Sequence, residues 1–272
     1  MQVWIESLED ERVAPYRNLK DRELAVEGDR FIAEGKLVTQ RLLASDFPVE
    51  SVLIAQRRLE EIGPQVPAEV PLYIVPDPLV HEIIGFKFHS GVLAVGRRKP
   101  RLSLDEVMTR CTTAKPEGPI TLMVLPATRN AENLGALFRI GAAFGVDAVV
   151  LGPECTDPWW RRVIRVSMGA VFSLPIILSE DLQHDLTRLH DVWQVQHYAT
   201  VVGMEAKSLA TVSRPGPPDR VALLFGPEDH GLDQRWINLC DQRITIPMHL
   251  GTDSLNVAVA AAVFLYHFTQ QR

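Results

Sequence analysis

The stretch ITLMVLPATRNAENLGALFRIGAAFGVDAVVL, residues 120–151, contains the pattern that decides the fold. Ile120 to Leu125 is a continuous apolar run, typical of a strand that is buried on both faces. Asn133 to Phe144 has apolar residues at helical spacing, and Gly145 follows as its C-terminal cap. Val146 to Leu151 is a second apolar run. A strand, a crossover helix and another strand predict a βαβ unit with parallel strands.

Further strands and a closing helix extend this unit toward the C-terminus. The predicted strands are Val171–Leu178, Trp193–Tyr198, Val221–Phe225 and Arg243–Ile246, and the predicted helix is Leu255–Phe268. We therefore predict an α/β fold with a parallel sheet. Such sheets bind their ligands at the carboxyl ends of the strands, so we expect the chemistry in the loops after Leu125, Phe225 and Ile246.

The N-terminal part has the pattern of a smaller α/β domain. Its predicted elements are a helix at Arg30–Leu43, strands at 51–55, 71–75 and 91–96, and a helix at Asp77–Ile84. The polar stretch TTAKPEGP at 112–119, which is rich in helix breakers, follows it. We predict a small domain over residues 1–105, a linker over 106–118 and a second domain over 119–272.

The composition excludes several classes of protein. The N-terminus MQVWIESLEDER lacks the features of a signal peptide, and no apolar run reaches the roughly 18 residues that span a bilayer. Three scattered cysteines, Cys111, Cys155 and Cys240, argue against a disulfide framework and a zinc site. We interpret them as small buried side chains. We therefore expect a cytoplasmic protein that uses no membrane and no metal.

The charge leaves nucleic acid binding to local clusters. The net charge of −6 counts against a basic domain, although 22 of the 28 basic residues are arginine, which suits phosphate. An arginine bias also follows from genomic base composition. The candidate clusters are Arg97, Arg98 and Lys99 with Arg101, and Arg161, Arg162 and Arg165. The neighbouring Trp159 and Trp160 either stack on an unpaired base or pack inside the protein.

The first loop, PATRNAENLGALFR, leads into the crossover helix. Gly135 and Arg139 are four residues apart, so they share a helical face, and the free N–H groups at the helix start suit a phosphate. We predict that a substrate lies close to Gly135 and that Arg139 reaches it. The alternative is a tightly packed helix on which Arg139 is a solvated surface residue.

The second and third loops also carry polar groups. In LFGPEDHGL, a strand ends at Gly226, which has no Cβ, so a ligand can approach the backbone there and Glu228 can accept its hydrogen bonds. The alternative is a Gly-Pro turn in which Glu228 lies at the start of a helix. In IPMHLGTDSLNVA, Ser254 is suited to cap a buried helix, whereas Asn256 on that helix needs polar partners. His230 and His249 have no identifiable nucleophile partner, and we expect structural roles for them.

Taken in order, the three loops resemble the motifs of the SpoU (TrmH-like) branch of the SPOUT RNA methyltransferases. The motifs read NLGALFR, LFGPEDHGL and IPMHLGTDSLNVAVA. The segment RVSMGA at 165–170 resembles the family's linking segment. The N-terminal residues 34–36 and 89–95 resemble its small substrate-binding domain. The sequence departs from the family's pattern at Asn130 and Ala131, where Asp-Pro is common, at Asp229 and at Ala258.

The resemblance implies a fold, a cofactor and a site. It implies a parallel sheet with a C-terminal trefoil knot, a homodimer, and S-adenosylmethionine as methyl donor for the ribose 2′-hydroxyl of RNA, with ribosomal RNA as the expected substrate. The implied donor contacts are Gly226, Ile246 and Leu255 with Leu224, Met248 and Gly251, and the implied catalytic residues are Arg139, Asn133, Glu228, Ser254 and Asn256.

A guanidinium scarcely loses its proton, so we expect Arg139 to grip a phosphate and stabilise developing charge rather than act as a base. The clusters Arg97–Lys99 and Arg161–Arg165 then select the RNA site. Three alternatives are a tRNA methyltransferase of the same family, an RNA-binding protein without catalysis, and an α/β enzyme for another nucleotide. The filled Asn133, Arg139, Glu228 and Asn256 positions argue against the second alternative, and the missing phosphate-loop motifs argue against the third.

Overall fold

The computed structural model describes residues 1–17, 19, 29–85, 89–203, 205–251 and 253–270. These residues divide into two compact units. The first unit comprises residues 1–100 and 157–173, and the second comprises 101–156 and 174–272. A segment from the middle of the chain therefore belongs to the N-terminal unit, which the predicted division at 106–118 did not anticipate.

The element bounds are as follows. The strands are β1 (Gln2–Trp4), β2 (Arg30–Glu34), β3 (Val49–Ala55), β4 (Leu72–Val75), β5 (Val92–Arg97), β6 (Ile120–Leu125), β7 (Ala148–Leu151), β8 (Ile176–Leu178), β9 (Gln196–Thr200), β10 (Lys207–Ser208), β11 (Arg220–Phe225) and β12 (Gln242–Thr245). The α-helices are α1 (Lys36–Leu43), α2 (Leu59–Ile62), α3 (Asp77–Ile84), α4 (Leu104–Ala114), α5 (Ala131–Ala143), α6 (Arg161–Val166), α7 (Leu182–Asp191), α8 (Gln234–Ile237) and α9 (Val257–Gln270).

The second unit is built on a sheet with the strand order β10-β12-β9-β11-β6-β7-β8. All of its strand pairs are parallel. Every residue of β6 is buried, which is the reason for its continuous apolar sequence. The predicted βαβ unit is confirmed: α5 connects β6 to the parallel β7, and the helix ends just before Gly145, whose φ of +66° continues no right-handed helix.

Helix α5 starts at Ala131, two residues before the predicted start. Its N-cap is Asn130, whose Oδ1 accepts hydrogen bonds from the backbone N–H groups of Glu132 at 2.8 Å and Asn133 at 3.2 Å. This contact explains how Asn130 and Ala131 replace the family's Asp-Pro pair, because Asn is as good an N-cap as Asp.

Helix α9 corrects the predicted role of Ser254. The helix is capped by Asn256, whose Oδ1 accepts a hydrogen bond from Ala258 N at 2.9 Å, and Ser254 lies exposed before it. The helix is also not buried all round. Val259, Val263 and Tyr266 are 52%, 40% and 58% exposed and form one apolar face at helical spacing.

Two further elements differ from the prediction. Residues 30–34 form the strand β2 rather than the start of a helix, because they pair with β5 through five residue pairs and Gly35, at φ +103°, separates them from α1. The strand predicted at 171–178 is reduced to β8, because Ala170–Phe172 form a 3-10 turn after the left-handed Gly169.

Most of the predicted linker at 106–118 is helix α4. Ser103 and Glu106 form a capping box at its start, and four apolar side chains on one face enter the core of the second unit. Residues 115–119, KPEGP, are rich in helix breakers and indicate a linker, whereas residues 104–114 have the periodicity of a helix. The loop proper covers only the few residues between α4 and β6.

The first unit has a mixed sheet of order β1-β4-β3-β5-β2, in which β5 runs antiparallel to β3 and β2. Residues 157–173 pack into this unit through aromatic rings. The Trp159 ring stacks on Phe31 at 5.3 Å between centroids and contacts Phe47 at 5.1 Å, and Phe172 lies 5.5 Å from Phe31. The structure thus shows the packing role for Trp159. We call Phe31, Phe47, Trp159 and Phe172 the aromatic cluster.

Trp159→Ala should destabilise the first unit. Removal of a large ring that fills the space between two phenylalanines costs about 3 kcal/mol. Trp4→Ala is the matched control, because Trp4 is 48% exposed on the edge strand β1, and should change stability by less than about 0.5 kcal/mol. Urea unfolding followed by fluorescence and circular dichroism measures both. Equal effects of the two substitutions would show that residues 157–173 do not stabilise the unit.

Candidate functional site

A cavity of about 670 Å³ lies at the carboxyl ends of the strands in the second unit. Its wall comes from the loops after β9, β11 and β12 and from the start of α9. These loops meet because β12, β9 and β11 are neighbours in a parallel sheet. Residues 200–202, after β9, were missed by the sequence analysis. The rule that located the other loops applies to them too, because β9 was a predicted strand.

Four of the six predicted donor contacts line this cavity: Gly226, Ile246, Met248 and Leu255. Leu224 lies fully buried in β11, where its backbone carbonyl accepts a hydrogen bond from Thr200 Oγ1 at 2.7 Å. Gly251 lies in an exposed turn with a φ of +73°. Leu224 and Gly251 are therefore near lining residues in the sequence, but they do not line the cavity themselves.

Asn256 connects the three predicted loops. Its Nδ2 donates hydrogen bonds to Glu228 Oε1 at 2.7 Å and to Asn133 Oδ1 at 3.2 Å. Asn133 comes from the start of α5, Glu228 from the loop after β11, and Asn256 from the loop after β12. We call these three residues the amide–carboxylate cluster. Three of the five predicted catalytic residues are thus in direct contact.

The cap of α9 fixes the orientation of the Asn256 amide. Its Oδ1 must face the backbone N–H of Ala258, which can only donate, so the Nδ2 group faces Glu228 and Asn133. One side chain therefore performs two tasks, and the helix start sets the geometry of the cluster. The Asn133 Oδ1 is occupied in the same way, which directs its own Nδ2 away from Asn256.

Gly226 is required by the protein's own backbone. A Cβ at this position would lie 2.2 Å from Leu232 N and 2.3 Å from the carbonyl carbon of Gly231. The loop closes on itself through Gly231, whose N–H donates to the Pro227 carbonyl at 3.0 Å and whose φ is +70°. The structure shows that the returning loop approaches Gly226, whereas the expected approach of a ligand to this residue stays a prediction.

Ser254 and Arg139 form no hydrogen bond with the amide–carboxylate cluster in the described part of the chain. Ser254 lines the large cavity but makes no hydrogen bond with described residues. Arg139 is exposed on α5, about 9 Å along the helix axis from Asn133, and forms no hydrogen bond or ion pair with the described part of the chain. It does not line the cavity of its own chain. Gly135 is buried whereas Arg139 is exposed. The expected approach of a substrate along the face that they share stays a prediction.

The predicted RNA-binding cations are paired with carboxylates inside the first unit. The ion pairs are Arg97 with Glu50, Arg98 with Asp157, Lys99 with Asp46, and Arg161 and Arg165 with Glu34. Arg162 is exposed and also has a partner. Lys99 in addition lies 4.5 Å from the centre of the Phe47 ring. The pairs of Arg98, Arg161 and Arg165 join residues 157–173 to the rest of the unit. Contact of the predicted cations with RNA stays a prediction.

Carboxylates dominate the charge around the large cavity. Glu228, Asp229 and Asp253 line it together with apolar side chains, and the imidazole of His230 is paired with Asp229 at 2.7 Å. A partly apolar cavity with negative charge fits a ligand that has an aromatic base and a cationic centre, as S-adenosylmethionine has. Its volume is within the usual range for such ligands. His249 is exposed and does not line the cavity.

Residues 121–266, more than half of the chain, match the sequence pattern of the SpoU rRNA methylase family. The chain belongs to this family. The family predicted from the three loops is therefore confirmed. An uncharacterized tRNA/rRNA methyltransferase of Mycobacterium bovis is 37% identical to this SpoU-family chain over 270 residues, covering 96% of this chain and 90% of that protein.

Two more relatives connect the chain to defined activities. A 23S rRNA (guanosine-2′-O-)-methyltransferase of Bordetella pertussis is 32% identical over 187 residues, 68% of this chain and 71% of that protein. The crystal structure of an AdoMet-bound rRNA methyltransferase from Sinorhizobium meliloti has a TM-score of 0.78 and 25% identity, covering 98% of this chain and 97% of that one. The predicted α/β fold is confirmed, and this SpoU-family protein is an RNA methyltransferase with S-adenosylmethionine as its methyl donor.

Two further features concern membrane spans and metal sites. Within the ranges that the structure describes, no helix is both long and apolar enough to span a bilayer. The same ranges contain no group of three or more His, Cys, Asp or Glu side chains placed to hold a metal ion.

Gly226→Ala should destabilise the site. The added Cβ would overlap the backbone of residues 231 and 232, so we expect a loss of about 2 kcal/mol in the free energy of unfolding and loss of donor binding. Gly216→Ala is the control, because a Cβ there meets nothing within 4 Å. Urea unfolding and calorimetric titration with S-adenosylmethionine measure the effects. Normal donor binding by Gly226→Ala would contradict the close approach of the loop.

Asn256→Asp should separate the two tasks of this side chain. Asp is an equally good N-cap, so stability should change by less than about 0.5 kcal/mol, whereas Asn256→Ala should lose about 1 kcal/mol. The carboxylate has no N–H to donate and repels Glu228, so methyl transfer by Asn256→Asp should fall by at least about tenfold. Thermal unfolding and methyl incorporation are the measurements. Full activity of Asn256→Asp would exclude a role for the Nδ2 donor.

Proposed function

We propose that this SpoU-family protein transfers a methyl group from S-adenosylmethionine to a ribose 2′-hydroxyl of RNA, with ribosomal RNA as the substrate. The observation that carries the proposal is the amide–carboxylate cluster of Asn133, Glu228 and Asn256, which unites the ends of separate strands. The named 2′-O-methyltransferase of Bordetella pertussis supports the choice of acceptor group.

A second, smaller cavity supports a site for the acceptor. It has a volume of about 190 Å³ and shares Glu228 and the neighbouring residues with the large cavity. Asn133, Arg129 and Thr128 form its opposite wall, and the Thr128 Oγ1 is buried without a hydrogen-bond partner in the described structure. In our proposal the donor binds in the large cavity, the acceptor ribose in the small one, and Glu228 lies at their common wall.

The residues of the cluster orient the acceptor and handle its proton. When bound, S-adenosylmethionine supplies an electrophilic methyl group. Asn256 holds Glu228 through a hydrogen bond of 2.7 Å, which leaves the other carboxylate oxygen to accept a hydrogen bond, and finally the proton, from the 2′-hydroxyl. Asn133 presents its Nδ2 to the ribose. Arg139 grips the adjacent phosphate and stabilises the developing negative charge without losing its own proton.

The position of Arg139 outside its own cavity leads us to propose a homodimer. The exposed face of α9, formed by Val259, Val263 and Tyr266, is the type of apolar patch that a self-complementary interface buries. Phe144, next to the end of α5, contacts Tyr266 with ring centres 6.2 Å apart, so α5 borders this face. Arg139 on α5 then completes the site of the second copy.

The finer features of the family complete the proposal. We propose that the C-terminal part of the sheet and α9 form a trefoil knot and that the first unit selects the RNA site through its arginines. We also propose that the protein works in the cytoplasm, where its RNA substrate is available.

A transfer assay tests the proposed reaction. Purified protein and methyl-labelled S-adenosylmethionine are incubated with separated ribosomal RNA and tRNA that lack modifications, and labelled nucleosides are identified. We expect 2′-O-methylated nucleoside from ribosomal RNA, and none with Glu228→Gln. Label in tRNA alone would favour the second substrate, which the tRNA/rRNA name of the Mycobacterium bovis relative makes worth testing. Label on a base would contradict a ribose acceptor.

A mixed dimer should show whether Arg139 acts in the partner's site. Arg139→Ala and Glu228→Gln should each be inactive alone. Co-expressed at equal levels, they should recover about a quarter of the wild-type rate, because half of the dimers are mixed and each mixed dimer contains one complete site. Methyl incorporation per dimer is the measurement. No recovery in a mixture whose mixed dimers are verified by mass spectrometry would place Arg139 in its own chain's site.

A further inference from the structure

The loop that follows β7 contacts the first loop of the site along its length. We call residues 126–130, between β6 and α5, the acceptor loop, and residues 152–156, after β7, the clasp. β6 and β7 are neighbouring parallel strands, so their following loops start side by side. The proposed reaction assigns no role to the clasp, and none of its residues lines either cavity described above.

The clasp contacts the acceptor loop at both of its ends, through backbone and side-chain atoms. Gly152 N donates to the Leu125 carbonyl at 2.9 Å, and a Cβ at Gly152 would lie 2.3 Å from the Pro126 carbonyl oxygen. At the other end, Thr156 N donates to the Thr128 carbonyl at 2.9 Å, and its Oγ1 donates to the Arg129 carbonyl at 2.5 Å. The Arg129 side chain is also paired with Glu154.

Cys155 joins the two ends of this contact. Its Sγ donates to the Leu125 carbonyl at 3.0 Å and accepts a hydrogen bond from Thr128 N at 3.2 Å. Burial raises the pKa of the Cys155 thiol to about 11, so it keeps its proton at neutral pH and donates as this geometry requires. The Leu125 carbonyl has a second donor in Gly152 N, but no other donor-acceptor contact is present at Thr128 N in the described structure.

The acceptor loop transmits this constraint to the cluster. Thr128 is two residues before Asn130, which caps α5 and accepts a hydrogen bond from Asn133 N. The Asn133 Oδ1 in turn accepts from Asn256. We propose that Cys155 is a positioning residue for methyl transfer, because it fixes the acceptor loop and thereby the placement of Asn133 and the wall of the small cavity. This inference rests on the proposed function.

Three cysteine variants separate positioning from general stability. Cys155→Ala removes both hydrogen bonds, whereas Cys155→Ser keeps a group that donates and accepts. Cys111→Ala is the matched control. It also removes a buried thiol. Cys111 lies on α4 with its Sγ 4.0 Å from the carbonyl of Asp147, the residue before β7, and therefore at the amino-terminal end of the strands, away from the site. Kinetics of methyl transfer to ribosomal RNA and calorimetric donor binding are measured for each.

We expect Cys155→Ala to lower kcat by about tenfold, in line with the loss of one to two hydrogen bonds, and to leave the Kd for S-adenosylmethionine within twofold, about the precision of such a measurement. Cys155→Ser and Cys111→Ala should keep kcat within about threefold. The inference is overturned if Cys155→Ala has wild-type kcat, if Cys155→Ser is equally impaired, or if Cys111→Ala loses as much kcat as Cys155→Ala.

Amide hydrogen exchange makes the test independent of activity. Exchange at Thr128 N should be at least about tenfold faster in Cys155→Ala than in the wild type or Cys111→Ala, because local opening no longer breaks a hydrogen bond. If the wild type transfers no methyl group to any RNA, the proposed function fails, and this measurement alone decides whether Cys155 orders the acceptor loop. Unchanged exchange at Thr128 overturns the inference in either case.

Discussion

The hydrogen bonds of one amide side chain, that of Asn256, connect the three loops that form the site. Its oxygen caps the start of α9, and its nitrogen donates hydrogen bonds to Glu228 and Asn133. The Asn256 side chain therefore links α9, the loop after β11 and the crossover helix α5. The hydrogen bond from Asn256 orients the Glu228 carboxylate in the absence of a ligand. Such preorganisation is what a transfer reaction needs when its electrophile is already reactive and only placement limits the rate.

The parallel sheet makes this arrangement possible. Residues that are far apart in the chain meet because each follows the carboxyl end of a strand, and the order β12-β9-β11-β6 brings those ends to one edge. The loops are then stabilised by their own backbones, as at Gly226, where the returning chain fills the space of the missing Cβ. A glycine in a motif of this kind therefore reports on the folding of the loop as much as on ligand binding.

The sequence was sufficient for much of the fold and for the centre of the site. Buried strands such as β6 are continuous apolar runs, and the polar residues Asn133, Glu228 and Asn256 follow strands in predictable places. Hydrogen-bond partners were harder to predict. Ser254 and Asn256 are both good N-caps, and only the course of the backbone determines which of them caps α9. Local periodicity predicts a helix at residues 30–34, because strand pairing with β5 is a long-range effect that the local sequence does not contain.

The placement of Arg139 and of the arginine pairs depended on tertiary structure in the same way. Helical spacing predicts that Arg139 lies one turn from Gly135, but it does not reveal that Arg139 is exposed while the backbone at Gly135 is buried. The basic clusters at 97–99 and 161–165 suggested a nucleic acid surface, whereas the carboxylates of Glu34, Asp46, Glu50 and Asp157 that neutralise them are scattered in the sequence. Net charge over a window of residues does not reveal such partners.

The aromatic cluster has a consequence for how this architecture changes over evolution. Since Trp159 and its neighbours belong to the N-terminal unit, the chain passes between the two units at three points, after residues 100, 156 and 173. A gene deletion that removed only the first hundred codons would leave residues 157–173, with Trp159 and Phe172, in the remaining chain. Loss of the N-terminal unit would therefore leave Trp159 and Phe172 without Phe31 and Phe47, the rings that they contact.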